Sequence, residues 1–167
     1  MTQTHYCKSW FSAKKRAIQP WDEEQARSAH EGRLPYTVLV GDPESPHAVL
    51  LVSGKMNFVG VDFLDERLRE ALSYSFKEIE PGTLFLSMAT YREFDGDEDS
   101  VLGGTSYIFK PDGGVIIRRE AFDPHTLEKS ETNADVSGNY EAYPSFGDYE
   151  RLCLIERGSP DGADKQV

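Results

Sequence analysis

Cysteine is nearly absent from this chain, with two thiols, Cys7 and Cys153, in 167 residues. They form no CxxC and no Cys/His ligand spacing, so no thiol redox motif or zinc knuckle can be built from them. Free thiols in a cytoplasmic protein are the expectation. No stretch reaches the ~18 consecutive apolar residues of a membrane-spanning helix, and the opening MTQTHYCKSWF lacks an apolar run of signal-peptide length. Basic side chains are scarce too: 18 Lys and Arg against 29 Asp and Glu, a net charge of −11. Nucleic-acid binding draws its affinity from Lys and Arg clusters, so that balance argues against such a partner.

Catalytic signatures are also missing. The chain contains no G-x-S-x-G elbow, no G-x-G-x-x-G and no phosphate-binding loop. Its histidines, His5, His30, His47 and His125, do not pair at i, i+4 and sit in no HExxH arrangement. Neither cysteine reads as a nucleophile, because Cys153 lies in an apolar run where a thiol stays protonated. No catalytic residue, metal or cofactor is expected from these patterns.

What is present suits one domain. A hydrophobic fraction of 38% with 11% aromatics is enough for a core, and a chain this long buries roughly two thirds of its unfolded surface. The spacing of Tyr6, Trp10, Ala13 and Ala17 predicts a helix over 5–18, with Lys14, Lys15 and Arg16 on its solvated side. A second helix is predicted over Trp21–Glu31, from its acidic first turn and the stop at Gly32. YTVLVG and HAVLLVS then read as a hairpin, followed by a strand at 57–61. Asp62 and Asp65 resemble a capping box, and Val61, Leu64, Leu68 and Leu72 recur at helical spacing, predicting a third helix to about Ser73.

From Ala71 to Phe122 the pattern is two consecutive hairpins. Glu80-Pro81-Gly82 turns the first, and Asp112-Gly113 marks the second. The acidic tract EFDGDEDSVLGG joins them. Residues 123–139 read as loop, NYEAYPSFGDYE as an aromatic acidic cover, Leu152–Ile155 as a strand or one helical turn, and 158–167 as a tail. The fold expected is therefore α+β: a mostly antiparallel sheet of about seven strands with helices on one face. It divides into N-terminal helices (1–33), a sheet with one helix (34–122), a covering segment (123–157) and the tail.

The acid is concentrated late, with eleven acidic and four basic side chains after residue 119. Asp95, Asp97 and Asp99 begin like a calcium loop, but Ser100 and Ser106 stand where its glycine and bidentate glutamate belong. An exposed loop tip is the better reading. The candidate partner surface is then Glu93, Asp95, Asp97, Glu98 and Asp99 together with Tyr140, Glu141, Tyr143, Asp148, Tyr149 and Glu150, since tyrosines among carboxylates suit a basic protein.

DVSGNYEAYPSFGDYE, with FVGVDFLDERLREALSYSF and LFLSMATYREFDGD upstream, resembles small bacterial proteins of the immunity or accessory kind encoded beside polymorphic toxins. The similarity covers about residues 34–157 and carries no catalytic motif. The concentration of acid late in the chain and the missing catalytic signatures lead to the expectation of a non-enzymatic, acidic, protein-binding domain, of the immunity type that the resemblance implies, that occludes a basic partner. The alternatives are a metal-dependent hydrolase built on the aspartate tract and His125, and a small-molecule binding module with a pocket between helix and sheet.

Overall fold

The computed structural model describes residues 2–157. Its centre is an unbroken antiparallel meander: β3 (Tyr36–Asp42), β4 (Ser45–Ser53), β5 (Phe58–Leu64), β6 (Glu70–Glu80), β7 (Thr83–Phe94), β8 (Val101–Phe109), β9 (Gly114–Phe122) and β10 (His125–Asn133). A hairpin of β1 (Thr4–Phe11) and β2 (Arg16–Trp21) joins the β3 edge, and short β11 (Tyr140–Ala142) pairs with the first residues of β7. Alternation explains the strands. Val38, Val40, Leu50, Val52, Val59, Val61, Tyr74 and Phe76 all point to one face and are buried there, as period-2 patterning requires.

The α+β expectation is overturned. Among the described residues there are eleven strands and one α-helix, α1 (Glu23–Glu31), so the protein is sheet-dominated. That helix stands where its acidic first turn places it, with Asp22 and Gln25 closing a capping box. Ala26 and Ala29 bring it close against the buried face of the sheet.

The other two predicted helices are absent. Residues 5–18 form the β1–β2 hairpin, with Lys15 in a left-handed conformation at its turn. Tyr6 serves one face of the sheet and Cys7 the other, and this two-sided burial outweighs the helical spacing. Pro20 is tolerated because β2 is an edge strand. Around Asp62 the side chain of Asp65 accepts from the Arg67 and Arg69 amides, and Leu68 is left-handed. A tight turn between β5 and β6 results, as competing Asx hydrogen bonds favour.

Residues 125–133, expected as loop, pair along their whole length with β9 as β10. All nine are exposed. With neither face buried, the backbone ladder is their main tie to the sheet, and composition carries no sign of that. The hairpins at 36–53, 71–94 and 105–122 stand as expected, and Arg151–Cys153 is a single 3-10 turn. The predicted tail lies outside the described residues.

The first face of the sheet is sealed by α1 and by residues 136–153, through Tyr149 and Leu152. The second face is divided. Over β3–β5 it is apolar, with Cys7, Leu39, Val49 and Leu64 buried under Trp10 and Ala17 of the first hairpin. That hairpin lies across the sheet, so that Lys15 at its tip reaches Asp99 beyond β7. Around Ser73, Thr90, Ser106 and Arg118, on β6–β9, the second face is polar, whereas toward the start of β7 it buries Phe85. Cys7 and Cys153 belong to opposite faces, and both thiols are free.

Candidate functional site

Glu93 ends β7, and Asp95, Asp97, Glu98 and Asp99 form the loop after it; all five are exposed. The loop is closed on itself by the Asp95 amide to Ser100 carbonyl bond (3.0 Å) and the Glu98 amide to Asp95 carbonyl bond (2.9 Å). Arg69, from the β5–β6 turn, holds it from beneath. Its Nη1 donates to the carbonyls of Gly96 and Glu98, both at 2.8 Å, and Nε donates to Asp65 at 2.8 Å. The same guanidinium lies 4.4 Å over the Phe94 ring. Lys15 pairs with Asp99 at 2.9 Å and Arg67 with Asp97 at 3.0 Å.

The other predicted set lies elsewhere. Tyr140, Glu141 and Ala142 pair with Phe85, Leu84 and Thr83 at the opposite end of β7. Ten residues of strand, about 33 Å, separate them from the tract. Tyr149 is 3% exposed, and its hydroxyl meets that of Tyr36 at 3.0 Å, which in turn meets His30 Nδ1 at 2.8 Å. Burial, with Tyr36 beside it, pushes the Tyr149 phenol far above its usual range. Tyr143 packs on the core with the Arg33 guanidinium 5.2 Å above its ring.

Glu141 is enclosed as well. Its carboxylate takes Arg151 Nε at 2.9 and 3.0 Å and Arg157 Nη2 at 2.6 Å. Burial alone would raise this carboxyl; the two guanidinium bonds outweigh it and hold it below the usual range. Only Tyr140, Asp148 and Glu150 of this set are exposed. The structure thus brings the tract together and separates it from the 140–150 segment.

Sequence reasoning missed the polar trough on the second face. The register places Asp62, Ser73, Thr90, Ser106 and Arg118 in one row across five strands. Ser73 donates to Asp62 Oδ1 at 2.6 Å, Arg92 Nη1 donates to Ser73 Oγ at 2.8 Å, and the Thr90 and Ser106 hydroxyls meet at 3.0 Å. Glu70 joins them from the start of β6. Burial, then the neighbouring Asp62 carboxylate, push its carboxyl up to about 7, against the opposing pull of Arg92 and a hydrogen bond from Ser12.

Two adjoining cavities open on this row. One, of about 240 Å³, lies under the hairpin tip between Ser12, Lys15, Arg69, Glu70, Arg92 and Asp99. The other, of about 100 Å³, lies over Thr90, Ser106, Arg118 and Glu120, and shares Arg92 and Val101 with the first. The only trace of this site in the sequence is polar residues alternating with apolar ones, as in Ser73-Tyr74-Ser75-Phe76. Alternation fixes the face of each strand, whereas register decides which residues meet.

His125 bonds Glu120 at 2.8 Å on the β9–β10 hairpin. Among the described residues no three His, Cys, Asp or Glu side chains are grouped so as to hold a metal ion, and no helix is long and apolar enough to cross a membrane. No family model, curated protein or solved structure matches the chain.

Proposed function

We propose that the protein is a non-enzymatic binding protein that engages a basic protein partner through the acidic end of its sheet. The observation that carries this is the construction of the 93–99 loop. Five carboxylates are exposed on a backbone already pinned by Arg69. A loop ordered before binding does not lose that freedom on association, and its charge steers a cationic surface inward. Asp65 and Glu66, in the neighbouring turn, add to the same field. The specific form is an immunity-type protein that occludes its target sterically, acting in the cytoplasm. Two unpaired thiols raised to about 11 by burial suit a compartment that keeps cysteines reduced.

Affinity capture from the native cell, followed by binding measurements with the captured partner, tests this. One basic protein recovered at near-equal amounts is the expected result, and joint reversal of Asp95, Asp97 and Glu98 to lysine should weaken it at least ~100-fold. Reversal of Asp148 and Glu150 serves as the comparison. Full binding by the loop variant sinks the proposal.

A further inference from the structure

The trough on the second face gathers cationic side chains. In a protein of net charge −11, Lys15, Arg69, Arg92 and Arg118 all line its two cavities. Lys15 is occupied by Asp99, and Arg69 by Asp65 and two carbonyls. Arg92 spends only Nη1, on Ser73 and the Glu70 carbonyl. Among the described residues the Arg118 side chain makes no hydrogen bond and no ion pair. Its neighbour Glu120 is taken by His125, and Glu70, raised toward neutrality, offers a proton where an ionised carboxylate would repel. What remains unspent is guanidinium.

We propose that this trough binds a small organic anion, held through a carboxylate or phosphate group between Arg92 and Arg118 over the Thr90–Ser106 hydroxyl pair. Guanidinium forks match the planar or tetrahedral oxygens of such groups with paired N–H donors. The hydroxyls supply the remaining hydrogen bonds, and the larger cavity, with Glu70 and Ser12 on its wall, takes the body of the molecule. Arg92, Thr90, Ser106 and Arg118 stand on three neighbouring strands, β7, β8 and β9, so the sheet sets their relative positions. A side chain at Gly104 would stand 2.5 Å from the Tyr91 carbonyl, and one at Gly103 2.4 Å from the Glu120 carbonyl. Glycine there lets β8 lie close between its neighbours and sets the spacing of the two arginines. The site adjoins the acidic loop, whose Asp99 forms part of the wall of the larger cavity, and it does not depend on a protein partner.

Titration of the full chain with citrate and with inorganic phosphate, followed by calorimetry and by the backbone amide signals of Gly103 and Gly104, provides the test. Saturable binding of either probe that moves both amides is expected, and the more tightly held probe identifies which oxyanion the site prefers. Arg118→Ala, an exposed change that leaves the sheet intact, should weaken binding at least tenfold, and Arg92→Lys similarly. Lys110→Ala, at the far end of the sheet, should change it less than twofold. Three results overturn the proposal: no saturation by either anion up to about 10 mM, where binding free energy falls below ~3 kcal/mol; undiminished binding by Arg118→Ala; or equal loss in Lys110→Ala.

Discussion

Two acidic segments have opposite fates in this fold. Residues 93–99 stand on the surface, their carboxylates exposed and their backbone held by cations from neighbouring turns. Residues 140–150 are folded into the core, where the aromatic rings seal the first face and Glu141 is enclosed by two arginines. The difference is one of what lies between the charges. Glycine, serine and aspartate around 95–100 bury nothing, whereas tyrosine and phenylalanine three apart bring enough apolar area to pull their segment inward.

The contrast breaks most visibly at Tyr149. Replacing it with alanine removes a buried ring and one of the two partners of the Tyr36 hydroxyl, so a loss of about 3–5 kcal/mol is expected. Tyr149→Phe keeps the ring, and Tyr36 keeps its bond to His30, so about 1 kcal/mol is expected there. Urea unfolding measures both. A loss below about 1 kcal/mol for the alanine variant would mean that the 140–150 segment is a detachable cover.

Glu141 sharpens the same point through charge. The Arg157 side chain is 5% exposed and Glu141 8%, so Glu141→Ala leaves a buried guanidinium without its counter-ion. A cost of about 3 kcal/mol follows. Arg151→Ala, removing a partner that is 71% exposed, should cost less than about 1 kcal/mol. Equal losses for the two would show that enclosure does not govern this network.

Legibility in the sequence follows the same division. Most strands from Tyr36 to Phe122 are legible, β3 and β4 as short runs apolar on both faces and the later ones by alternation, and α1 is legible from its acidic first turn and the stop at Gly32. β10 could not be read, since a strand exposed on both sides has no pattern to show. The predicted helix at 62–73 failed because Val61, Leu64, Leu68 and Leu72 share a helical spacing by accident of a turn between two strands. Of the sites, the acidic loop was legible as a loop. The trough was not, because Asp62, Glu70, Arg92 and Arg118 meet only through register across β5–β9.

Between the two acidic segments in burial lies Glu70, which gives the comparison a pH dependence. Its carboxyl, raised to about 7 by burial and Asp62, ionises near 4.3 in the unfolded chain. The folded state therefore holds the proton more tightly. Its contribution to stability is complete below about pH 4, falls as pH rises through 7, and is lost above that. Glu70→Gln should remove this slope and be more stable than the parent at pH 8 by on the order of 1 kcal/mol, a figure reduced for the group's partial exposure. Parallel unfolding at pH 5, 7 and 8 reads it out. An unchanged slope in the glutamine variant would place the titration on another group.

The smallest effect belongs to the exposed loop. Asp97 pairs with Arg67, but the two side chains are 78% and 50% exposed, so water and salt screen most of their attraction. Asp97→Asn should change stability by less than about 0.5 kcal/mol, and a double-mutant cycle with Arg67→Ala should give a coupling no larger. Arg69 makes the instructive contrast, since it holds the loop by backbone carbonyls and an aromatic ring. Arg69→Met should loosen the Asp95 and Glu98 amides, the two that close the loop, in hydrogen exchange while Asp97→Asn leaves them protected. If the Arg67–Asp97 coupling instead exceeded about 1.5 kcal/mol, the surface carboxylates would be structural. They would then be unavailable to a partner, and the difference between the two acidic segments would shrink to one of depth.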